Sequence, residues 1–480
     1  MERFDLAVIG AGSGLIVMER ALQLGLKVAV IEKSSFGGTC LNRGCIPSKM
    51  LVYPADLVRD AQMGRRVGVT YPDPVLDWDL ITRNMREQID ENVALEHDLS
   101  KTEGLTLYRG EARFEGPHTL AVRMNAGGEE RLEADEIVVA AGGRTRIPAL
   151  PGLAEVGFVT SESFFADRFP GKPWDSLLII GGGATACEMA HVFSAFGTKV
   201  TMAVRSETIL RGFDAEIGPF VSRAMEKAGV RVLYFAQAQA ATKEDGLKTV
   251  AFIDKQTDES YRVSAEEIFV ASGIVPNTDT LDLGAAGVVT DQNGYIPTDE
   301  RMATNVPHIW ALGDINGRYQ LRHKANYEAG ILNDNLYGEG ALRARYDSVP
   351  RAVFTHPQAA SVGLTEFEAK ALHGDAVRVY TNRYSSVVAG RAMGYRKSAE
   401  DDGFAKIVCG EDGRILGAHI AGPQAATLVQ PYAYLMHAGG PEQAENPGTW
   451  VPVARAMTIH PAFSELAAGA LIYAPQQTIY

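Results

Sequence analysis

The chain of 480 residues is poor in cysteine, in net positive charge and in long apolar runs. Of its four cysteines, Cys187 and Cys409 are isolated in the sequence, and we interpret both as buried packing residues. The chain carries 46 lysines and arginines against 59 aspartates and glutamates, and its net charge of −13 argues against nucleic acid or an anionic membrane as a partner. No run approaches about 18 consecutive apolar residues, so we expect no transmembrane helix.

The composition is that of a large folded protein. The length is enough for about three or four domains and a large core. Apolar residues make up 46% and charged residues 22%, which is ordinary for a soluble globular protein, and the 49 glycines suit an α/β protein with many tight nucleotide-binding turns. A strand-like run over residues 4–9 begins almost at the first residue, so we expect no signal peptide and a cytoplasmic location.

Two cysteines, Cys40 and Cys45, stand close together in the glycine-rich segment 37–49. A loop this short closes at little entropic cost, so the pair can be oxidised and reduced repeatedly. Pro47 suits the first turn of a helix, and a helix N-terminus stabilises a Cys45 thiolate. A structural disulfide or half of a metal site is the alternative, but zinc sites usually show Cys-x-x-Cys with a second ligand pair. In a cytoplasmic protein such a pair is more often catalytic, so we predict a redox-active disulfide and no metal site.

The first half of the chain contains a diverged internal duplication. A strand over 6–9 leads through a glycine loop and a helical stretch to a second strand over 27–32, and the same order recurs between 177–180 and 199–205. Glycines between strand and helix let the backbone approach a pyrophosphate, which the helix N-terminus stabilises. The sequence therefore predicts two dinucleotide-binding βαβ units. The loop glycines are Gly10, Gly12 and Gly14 in the first copy and Gly181 and Gly183 in the second.

Further strand-like runs follow the two copies. Those over 137–143 and 268–273 end in glycine and close the two nucleotide-binding regions, and one over 309–314 ends in Gly-Asp. From Val349 onward, strand-like and helical runs alternate, which suggests a separate α+β domain. The stretch 437–452 is rich in glycine, proline and polar residues, which predicts a loop.

The two copies differ at the end of their second strand. Glu32 ends this strand in the first copy, where a carboxylate accepts hydrogen bonds from a ribose diol. By the spacing from the start of each strand, Val204 falls at the position of Glu32, so the acid that would repel a 2′-phosphate is missing from the second copy. Arg205 and Arg211 follow, and arginine forks bind phosphate well. Solvated surface arginines are the alternative.

The cysteine segment and the two glycine loops closely resemble the FAD-dependent pyridine nucleotide–disulfide oxidoreductases, and the resemblance runs over nearly the whole chain. It implies an α/β fold with two Rossmann-like FAD- and NAD(P)-binding domains and an α+β dimerisation domain. We expect an FAD-binding domain over 1–150, completed by the central segment 276–347, an NADP-binding domain over 151–275 and an interface domain over 348–480. The resemblance also implies an obligate homodimer that acts on a small-molecule disulfide.

The resemblance assigns the cofactors. It implies that the first copy binds the ADP half of FAD through Glu32, and that Asp314 binds the ribityl–pyrophosphate region of the flavin. The second copy lacks the acid that NADH-using dihydrolipoyl dehydrogenases usually carry, and in this it resembles NADPH-using glutathione reductases. We therefore expect NADPH, with NADH as the alternative. Further cofactor-binding residues that the resemblance implies are Gly38, Thr39, Gly142 and Gly273.

The resemblance also implies roles for four side chains around the disulfide. Cys45 faces the flavin and forms the charge-transfer thiolate, and Cys40 is the interchange thiol that attacks the substrate disulfide. Lys49 follows Cys45 by one helical turn. In the family this lysine lies near the flavin N5 and pairs with a glutamate, here Glu188. A cation at that place favours the reduced, anionic flavin electrostatically.

Thiol–disulfide exchange also needs a proton for the leaving thiolate, and histidine is the obvious residue to carry it. A His-Pro dipeptide occurs twice, at His356 and at His460. Glu465 follows His460 closely and can orient its imidazole, whereas His356 has no carboxylate at that spacing and is interpreted as structural. In the family the corresponding histidine–glutamate dyad reaches the cysteines of the other subunit.

Four positions depart from the family pattern. Leu15 stands where the first loop would carry a third glycine, so we expect altered helix–strand packing there. Ala184 stands where some relatives place an aromatic lid over the flavin, so we expect easier access of water and slow oxidase leakage. Ile274 replaces an arginine that often follows the second closing strand, which weakens the NADPH prediction. Trp450 lies in an unusually long loop that either borders the substrate site or packs at the dimer interface.

Three stretches resemble mycothione reductases in particular, over 36–40, 191–197 and 417–425. Together with the NADPH pattern they favour an NADPH-dependent reductase of a low-molecular-weight disulfide, with mycothione as the first choice. An NAD-linked dihydrolipoyl dehydrogenase or a glutathione-reductase-like enzyme is the rival interpretation. A flavin-binding redox sensor or NADPH oxidase without a dedicated disulfide is a third, supported by Ala184 and the altered first loop alone.

Overall fold

The computed structural model of the protein describes residues 1–438 and 455–460. Within them, no helix combines the length and the apolar character that crossing a bilayer requires. The strands are β1 (Glu2–Ile9), β2 (Val28–Glu32), β3 (Leu105–Phe114), β4 (Thr119–Met124), β5 (Glu129–Val139), β6 (Gly143–Thr145), β7 (Ser176–Ile180), β8 (Lys199–Ala203), β9 (Arg231–Leu233), β10 (Ala236–Glu244), β11 (Leu247–Asp254), β12 (Ser260–Ala265), β13 (Glu267–Val270), β14 (Ile274–Pro276), β15 (Ile309–Ala311), β16 (Arg351–Val353), β17 (Ala359–Gly363), β18 (Val377–Arg383), β19 (Phe404–Gly410) and β20 (Ile415–Ala421). The helices are α1 (Gly14–Gln23), α2 (Gly38–Arg43), α3 (Cys45–Met63), α4 (Trp78–Leu99), α5 (Leu153–Val156), α6 (Ser161–Phe165), α7 (Ala184–Ala195), α8 (Ile217–Lys227), α9 (Arg322–Tyr337), α10 (Glu366–His373), α11 (Val388–Ala392) and α12 (Ala425–Ala438). Short 3₁₀ helices cover Gly64–Val67, Leu283–Ala286, Gly313–Asn316, Gly374–Ala376 and Tyr384–Ser386.

The first sheet contains both strands predicted for the first copy. Strands β3, β2, β1, β5 and β15 lie side by side and run parallel, and β4 pairs antiparallel with β3 and β5. The last four residues of β1, from Leu6 to Ile9, are all buried, as in a parallel strand covered on both faces. Strand β15 comes from the central segment of the chain and completes this sheet.

The second sheet repeats this arrangement. Strands β13, β7, β8 and β9 run parallel in that order, which matches the order β5, β1, β2 and β3 of the first sheet. The predicted internal duplication is therefore visible in the topology. Strand β8 ends at Ala203, earlier than the sequence predicted, so Val204 and Arg205 follow the strand. Strands β6 and β14 pair antiparallel where the chain enters and leaves this unit.

The third sheet is antiparallel, with the order β16, β17, β20, β19 and β18, and α12 packs against it. Strands and helices alternate here, as the sequence predicted. The loop predicted over 437–452 begins later, because His437 and Ala438 still belong to α12, and the remainder of that stretch lies outside the described residues. Cys409 is only partly buried near the end of β19, where the pairing with β20 shifts register, which corrects the expectation that it is a buried packing residue.

One continuous apolar core joins the second sheet to α3, to α7 and to the third sheet. It includes Cys187, buried as predicted, and the buried rings of Phe193, Phe269 and Phe404. Burying one large apolar side chain contributes about 1.5–3 kcal/mol. This shared core therefore holds α3, which begins at Cys45, against α7 of the second nucleotide unit.

Candidate active site

The two glycine loops have the same backbone arrangement. Gly10 follows β1 with a φ of +104°, and a Cβ there would lie 2.4 Å from the carbonyl oxygen of Ala140. Gly181 follows β7 with a φ of +144°, and a Cβ there would lie 2.2 Å from the carbonyl oxygen of Ala271. A side chain of any kind would clash with the backbone at both places, so glycine is required. Each loop thereby brings a strand end to a helix start, as a pyrophosphate site needs.

Gly14 is the point where α1 comes close to the first sheet. A Cβ on Gly14 would lie 2.6 Å from Val8 Cγ1 and 3.0 Å from Ala140 Cβ. Leu15 packs, partly buried, against the apolar core beside this sheet. Gly14 thus takes the place of the missing third glycine.

Glu32 and Val204 occupy equivalent positions in the two units. In each unit the first loop glycine donates its N–H to the carbonyl just before this position, at Ile31 (2.8 Å) and at Ala203 (3.0 Å). The correspondence predicted from spacing is therefore confirmed. The buried carboxylate of Glu32 accepts a hydrogen bond from the Ala11 N–H at 2.9 Å.

A small cleft of about 50 Å³, partly open to solvent, lies at the carboxyl ends of β1 and β2. Glu32 lines it and also accepts hydrogen bonds from the Ser34 N–H at 2.7 Å and the Ser34 hydroxyl at 2.9 Å. Gly38 has a φ of +69°, and a Cβ on it would lie 2.8 Å from the Cα of Gly12, so these two segments meet backbone to backbone just before Thr39. Glycine backbone that is not covered by side chains, with the Glu32 carboxylate beside it, fits the pyrophosphate and ribose of a dinucleotide such as FAD.

Asp314 lies in a 3₁₀ turn directly after β15, beside a buried ion pair that the sequence analysis missed. Lys324 and Glu328 on α9 are fully buried, with 3.0 Å between Nζ and Oε2. Glu328 accepts hydrogen bonds from the Gly313 N–H and the Asn316 amide, both at 2.7 Å, so the pair fixes the turn. Burial raises the pKa of Asp314 to about 6. The sequence feature that could have indicated this ion pair is the i,i+4 spacing of opposite charges on α9.

The two cysteines lie on consecutive helices. Cys40 lies in the short helix α2, where the sequence predicted a turn, and Cys45 is the first residue of the 19-residue helix α3. The break between them is at Gly44, where a Cβ would lie 3.1 Å from the Thr39 carbonyl oxygen. Pro47 lies in the first turn of α3, as predicted. No disulfide bond joins the two sulfurs in this structure, and the position of Cys45 at a helix N-terminus favours its thiolate.

His460 lies against the cysteine pair. Its Nε2 is 3.3 Å from the Sγ of Cys40. The two sulfurs of Cys40 and Cys45 and one imidazole nitrogen all lie within 4.8 Å of one another. Glu465, the predicted partner of this histidine, lies outside the described residues.

The position of His460 follows from the way the segment 455–460 is held on α12. The side-chain amide of Gln430 donates to the Met457 carbonyl and accepts from the Ile459 N–H, both at 2.9 Å. Because α12 packs on the third sheet of the same chain, the imidazole reaches a cysteine of that chain. The implied contact of this histidine with the cysteines of the other subunit stays a prediction.

The two thiols are electrostatically unequal. The hydrogen bond from the Cys40 thiol lowers the pKa of Cys45, and the positive charges of Lys49 and His460 lower it further, against the opposing effect of burial. The same hydrogen bond and burial raise the pKa of Cys40, against the opposing charge of Arg322. Cys45 is therefore the sulfur that ionises first.

Lys49 and Glu188 form an ion pair between α3 and α7, with 2.8 Å between Nζ and Oε2. The other carboxylate oxygen of Glu188 accepts a hydrogen bond from the Phe354 N–H at 3.0 Å. The Lys49 ammonium also lies 4.6 Å from the centroid of the Phe354 ring, within cation–π distance. The pair that the resemblance implied is therefore present, and it connects the cysteine helix to the helix of the second nucleotide unit.

Arg205 and Arg211 lie exposed after β8, close to the second glycine loop. Val204 packs against that loop, since a Cβ on Gly182 would lie 2.9 Å from Val204 Cγ1. The Gly182 carbonyl accepts a hydrogen bond from the Leu210 N–H at 2.7 Å, which ties the arginine-bearing segment to the loop. Two exposed guanidinium groups beside a glycine loop are what a 2′-phosphate site needs.

The remaining predicted positions have simpler surroundings. Gly142 and Gly273 have φ values of +65° and +112° at the ends of the two closing strands. Ala184 is the exposed first residue of α7, and Ile274 is partly buried in β14. Trp450 lies outside the described residues.

Two carboxylate–imidazole pairs formed by aspartates of α3 were also missed. His191 Nε2 lies 2.8 Å from Asp56 Oδ1, and His356 Nε2 lies 2.9 Å from Asp60 Oδ1. The sequence left His356 without a carboxylate, but α3 supplies one. The partners are separated by 135 and 296 residues, so no local spacing reveals them. Arg322, whose charge lowers the pKa of Cys40, was also missed, because it belongs to no recognisable sequence motif.

Comparisons with known proteins identify the family of the chain. Residues 4–329 match the family described as pyridine nucleotide-disulphide oxidoreductase, and residues 349–470 match its dimerisation domain. The chain is 33% identical to dihydrolipoyl dehydrogenase 3 of Haloarcula marismortui, covering 96% of this chain and 94% of that protein. It is also 33% identical to mycothione reductase of Mycobacterium tuberculosis, covering 98% and 99%. The Cu(II) complex of the HOCl-induced flavoprotein disulfide reductase RclA from Escherichia coli matches with a TM-score of 0.78 at 25% identity, covering 98% and 99%.

The relatives carry different names at the same identity, so they identify a class of reaction and leave the disulfide open. Their family uses FAD together with NADH or NADPH. The chain therefore belongs to the pyridine nucleotide-disulphide oxidoreductase family and is an NAD(P)H-dependent flavoprotein disulfide oxidoreductase with a dimerisation domain.

Proposed function

We propose that the protein is an NADPH-dependent reductase of a low-molecular-weight disulfide, with mycothione as the first-choice substrate. The observation that carries this proposal is the cluster of Cys40, Cys45 and His460, whose two sulfurs and one imidazole nitrogen lie within 4.8 Å of one another. A nucleophilic thiol, a second thiol that resolves the mixed disulfide and a proton carrier are the groups that thiol–disulfide exchange needs.

The two thiols divide the exchange between them. His460 takes the proton of Cys40, whose sulfur attacks the substrate and forms a mixed disulfide, and the released half takes that proton back from His460. The Cys45 thiolate then attacks the Cys40 sulfur, which forms the Cys40–Cys45 disulfide and releases the second half as a thiolate that takes a proton from water. The net reaction converts one disulfide, one NADPH and one proton into two thiols and NADP⁺.

The residues that would hold FAD lie around the first unit. Bound FAD would supply the two-electron relay from NADPH that reopens the protein disulfide. Glu32 would accept hydrogen bonds from its ribose, the backbone between Gly12 and Gly38 would face its pyrophosphate, and Asp314 would hold its ribityl region. Lys49 keeps a positive charge beside Cys45, whose pKa it lowers. We assign this FAD-binding unit to residues before about 150 and to the central segment that supplies β15.

We assign NADPH to the second unit on the chemistry of three side chains. Val204 places an apolar group where Glu32 places a charge, so nothing there repels a 2′-phosphate. Arg205 and Arg211 are exposed nearby, and a charge-assisted hydrogen bond to phosphate is among the stronger polar contacts in proteins. The predicted cytoplasmic location and the domain boundaries stay predictions.

Replacement of His460 tests the chemistry. We expect His460→Ala to keep its flavin and to lower disulfide turnover by about 100- to 10,000-fold, because the proton carrier is lost. The measurement is anaerobic NADPH oxidation with mycothione, and His373→Ala, an exposed histidine on α10, is the matched control. Normal turnover in His460→Ala would show that the proton-transfer role is wrong. A redox sensor or oxidase would keep its NADPH oxidation in air and gain nothing from the disulfide.

The dimerisation domain supports a homodimer, and mixed dimers reveal which subunit supplies the histidine. The mixed dimer pairs one Cys40→Ser subunit with one His460→Ala subunit. If the histidine acts across the interface, as the resemblance implies, one of the two sites is complete and roughly half of the wild-type activity returns. An inactive mixed dimer would show instead that each histidine serves its own chain, whose Cys40 lies 3.3 Å from His460.

A further inference from the structure

The segment 191–197, one of the stretches that resemble mycothione reductases, has no role in the chemistry above. It begins three residues after Glu188, which pairs with Lys49, and its residues 191–195 belong to α7. Among the buried residues of α7, Glu188 and His191 are the two with a carboxylate or imidazole side chain. They are three residues apart, so they lie on the same face of the helix, and both side chains reach α3.

Three polar contacts connect α7 to α3, and they follow one another in the same order along both helices. Helix α3 begins at Cys45, so the contacts start one turn from the predicted charge-transfer thiol. The contacts are Lys49 Nζ to Glu188 Oε2 (2.8 Å), His191 Nε2 to Asp56 Oδ1 (2.8 Å) and Arg59 Nη2 to Ser194 Oγ (2.7 Å).

The connection between β16 and β17 covers these contacts. Its Phe354 N–H donates to the Oε1 of Glu188 at 3.0 Å, and the His356 Nε2 lies 2.9 Å from the Oδ1 of Asp60. The rings of His191 and His356 are stacked, with centroids 6.2 Å apart and planes at 21°. The His191 side chain is only 3% exposed, so it is enclosed between α3 and this connection.

A buried imidazole is an unusual choice at this place. Burial lowers the pKa of His191, against the Asp56 carboxylate, which raises it, so the neutral ring donates its Nε2–H to Asp56. Neighbouring positions of α7 bury Met189, Val192 and Phe193. Replacing a buried polar pair by apolar side chains is often neutral or stabilising, so stability alone does not account for the pair. Its directional geometry fixes one arrangement of the two helices.

We propose that Asp56 and His191 are positioning residues that fix α7 on α3 and thereby hold the Lys49 ammonium beside Cys45. Lys49 lies between Cys45 and Asp56 on α3, and its partner Glu188 lies one turn before His191 on α7. Without the Asp56–His191 contact, Glu188 is free to shift with its helix, and the charge of Lys49 stabilises the thiolate less. This inference rests on the proposed roles of Cys45 and Lys49 and is independent of which disulfide is the substrate.

The absorption band of a thiolate next to oxidised flavin tests the proposal without turnover. It is recorded in the two-electron-reduced holoenzyme as a function of pH, anaerobically and with a chelator, because two thiols and an imidazole within 4.8 Å can also bind a soft metal ion. We expect His191→Leu to raise the pH midpoint of this band by at least about 0.5, because the Lys49 charge then stabilises the Cys45 thiolate less. His191→Gln keeps a donor for Asp56 and restores the midpoint to about the wild-type value.

Two further variants serve as a control and as a second test of the Asp56–His191 contact. Ser194→Ala removes the contact with Arg59 between the same two helices and is the matched control, for which we expect a lower Tm and an unchanged midpoint. Asp56→Leu, which removes the acceptor for His191, is the second route if His191→Leu does not fold, and it should raise the midpoint in the same direction. Lower Tm values with no midpoint shift in the His191 and Asp56 variants would overturn the proposal, as would an equal shift in Ser194→Ala. If the wild-type enzyme shows no such band, the proposed role of Cys45 as the charge-transfer thiolate is wrong, and so is the inference that rests on it.

Discussion

The two nucleotide-binding units share a backbone arrangement and differ in the side chain that follows the equivalent point of the second strand. Both place parallel strands in the same order and press a glycine against a carbonyl oxygen at the first turn. In the first unit the Glu32 carboxylate is held by hydrogen bonds from Ala11 and Ser34. In the second unit Val204 fills the equivalent space, and the exposed Arg205 follows. On the proposed assignment, the backbone sets the binding of a dinucleotide, and one position and its neighbours set which dinucleotide binds.

The cysteines associated with the two units differ in the same way. Cys45 opens α3, where the Cys40 thiol and the Lys49 charge lower its pKa. Cys187 lies inside α7, where burial raises its pKa. We therefore expect the same side chain to be reactive near the first unit and inert in the second, because its neighbours differ.

Replacement of Gly10 or Gly181 should have the largest effect on nucleotide binding, and the two variants distinguish the functions of the two units. Gly10→Ala forces a Cβ to 2.4 Å from the Ala140 carbonyl oxygen, and we expect protein without flavin. Gly181→Ala forces a Cβ to 2.2 Å from the Ala271 carbonyl oxygen, and we expect flavin to stay bound while NADPH oxidation falls by at least about 100-fold. Flavin absorbance per protein after desalting and NADPH oxidation rates measure both. Loss of flavin in Gly181→Ala would show that the two units do not bind their nucleotides independently.

Val204→Glu gives the second unit the acid of the first, and we expect the nucleotide preference to change. A carboxylate there repels a 2′-phosphate and can accept hydrogen bonds from a ribose diol, so the ratio of kcat/KM for NADPH to that for NADH should fall by about tenfold to a hundredfold. Steady-state rates with each nucleotide at constant disulfide measure the ratio. Val204→Gln has the same size without the charge and should change the ratio less. An equal change in both variants would mean that bulk, and not charge, governs selection.

Alkylation compares the cysteines and has the smallest expected effect on the fold. In the reduced enzyme at pH 7, iodoacetamide should react with the Cys40–Cys45 pair at least about tenfold faster than with Cys187. A lowered pKa means that the thiolate is present above it and is lost as the pH falls through it, so the rate should rise from a pH below the ordinary thiol range. Peptide mass mapping at several pH values measures the site and the rate. Labelling of Cys187 at a comparable rate would contradict the stated difference between the two units.

The parts of the site that depend on local spacing could be predicted from the sequence. Counting along the second strands paired Glu32 with Val204, and the structure aligns them. The i,i+4 spacing placed Lys49 one turn after Cys45, and Pro47 indicated the helix start. Such features depend on backbone geometry alone, which the sequence pattern encodes directly.

Contacts between distant segments could not be predicted in the same way. Asp56 and His191 are 135 residues apart and meet only because α3 packs on α7, so neither residue type nor spacing indicates the pair. The contact between His460 and Cys40 joins residues 420 apart through the packing of α12. Family resemblance supplied the histidine, and its implied contact with the cysteines of the other subunit stays a prediction.

The most direct test of the account compares NADPH and NADH oxidation by the flavin-loaded enzyme, anaerobically, with mycothione, lipoamide and glutathione disulfide side by side. The account predicts rapid turnover of mycothione with NADPH, and a kcat/KM for NADPH at least about tenfold above that for NADH. Turnover of lipoamide with NADH alone would contradict it. Val204, Arg205 and Arg211 would then not select a 2′-phosphate, and the chain would be a dihydrolipoyl dehydrogenase.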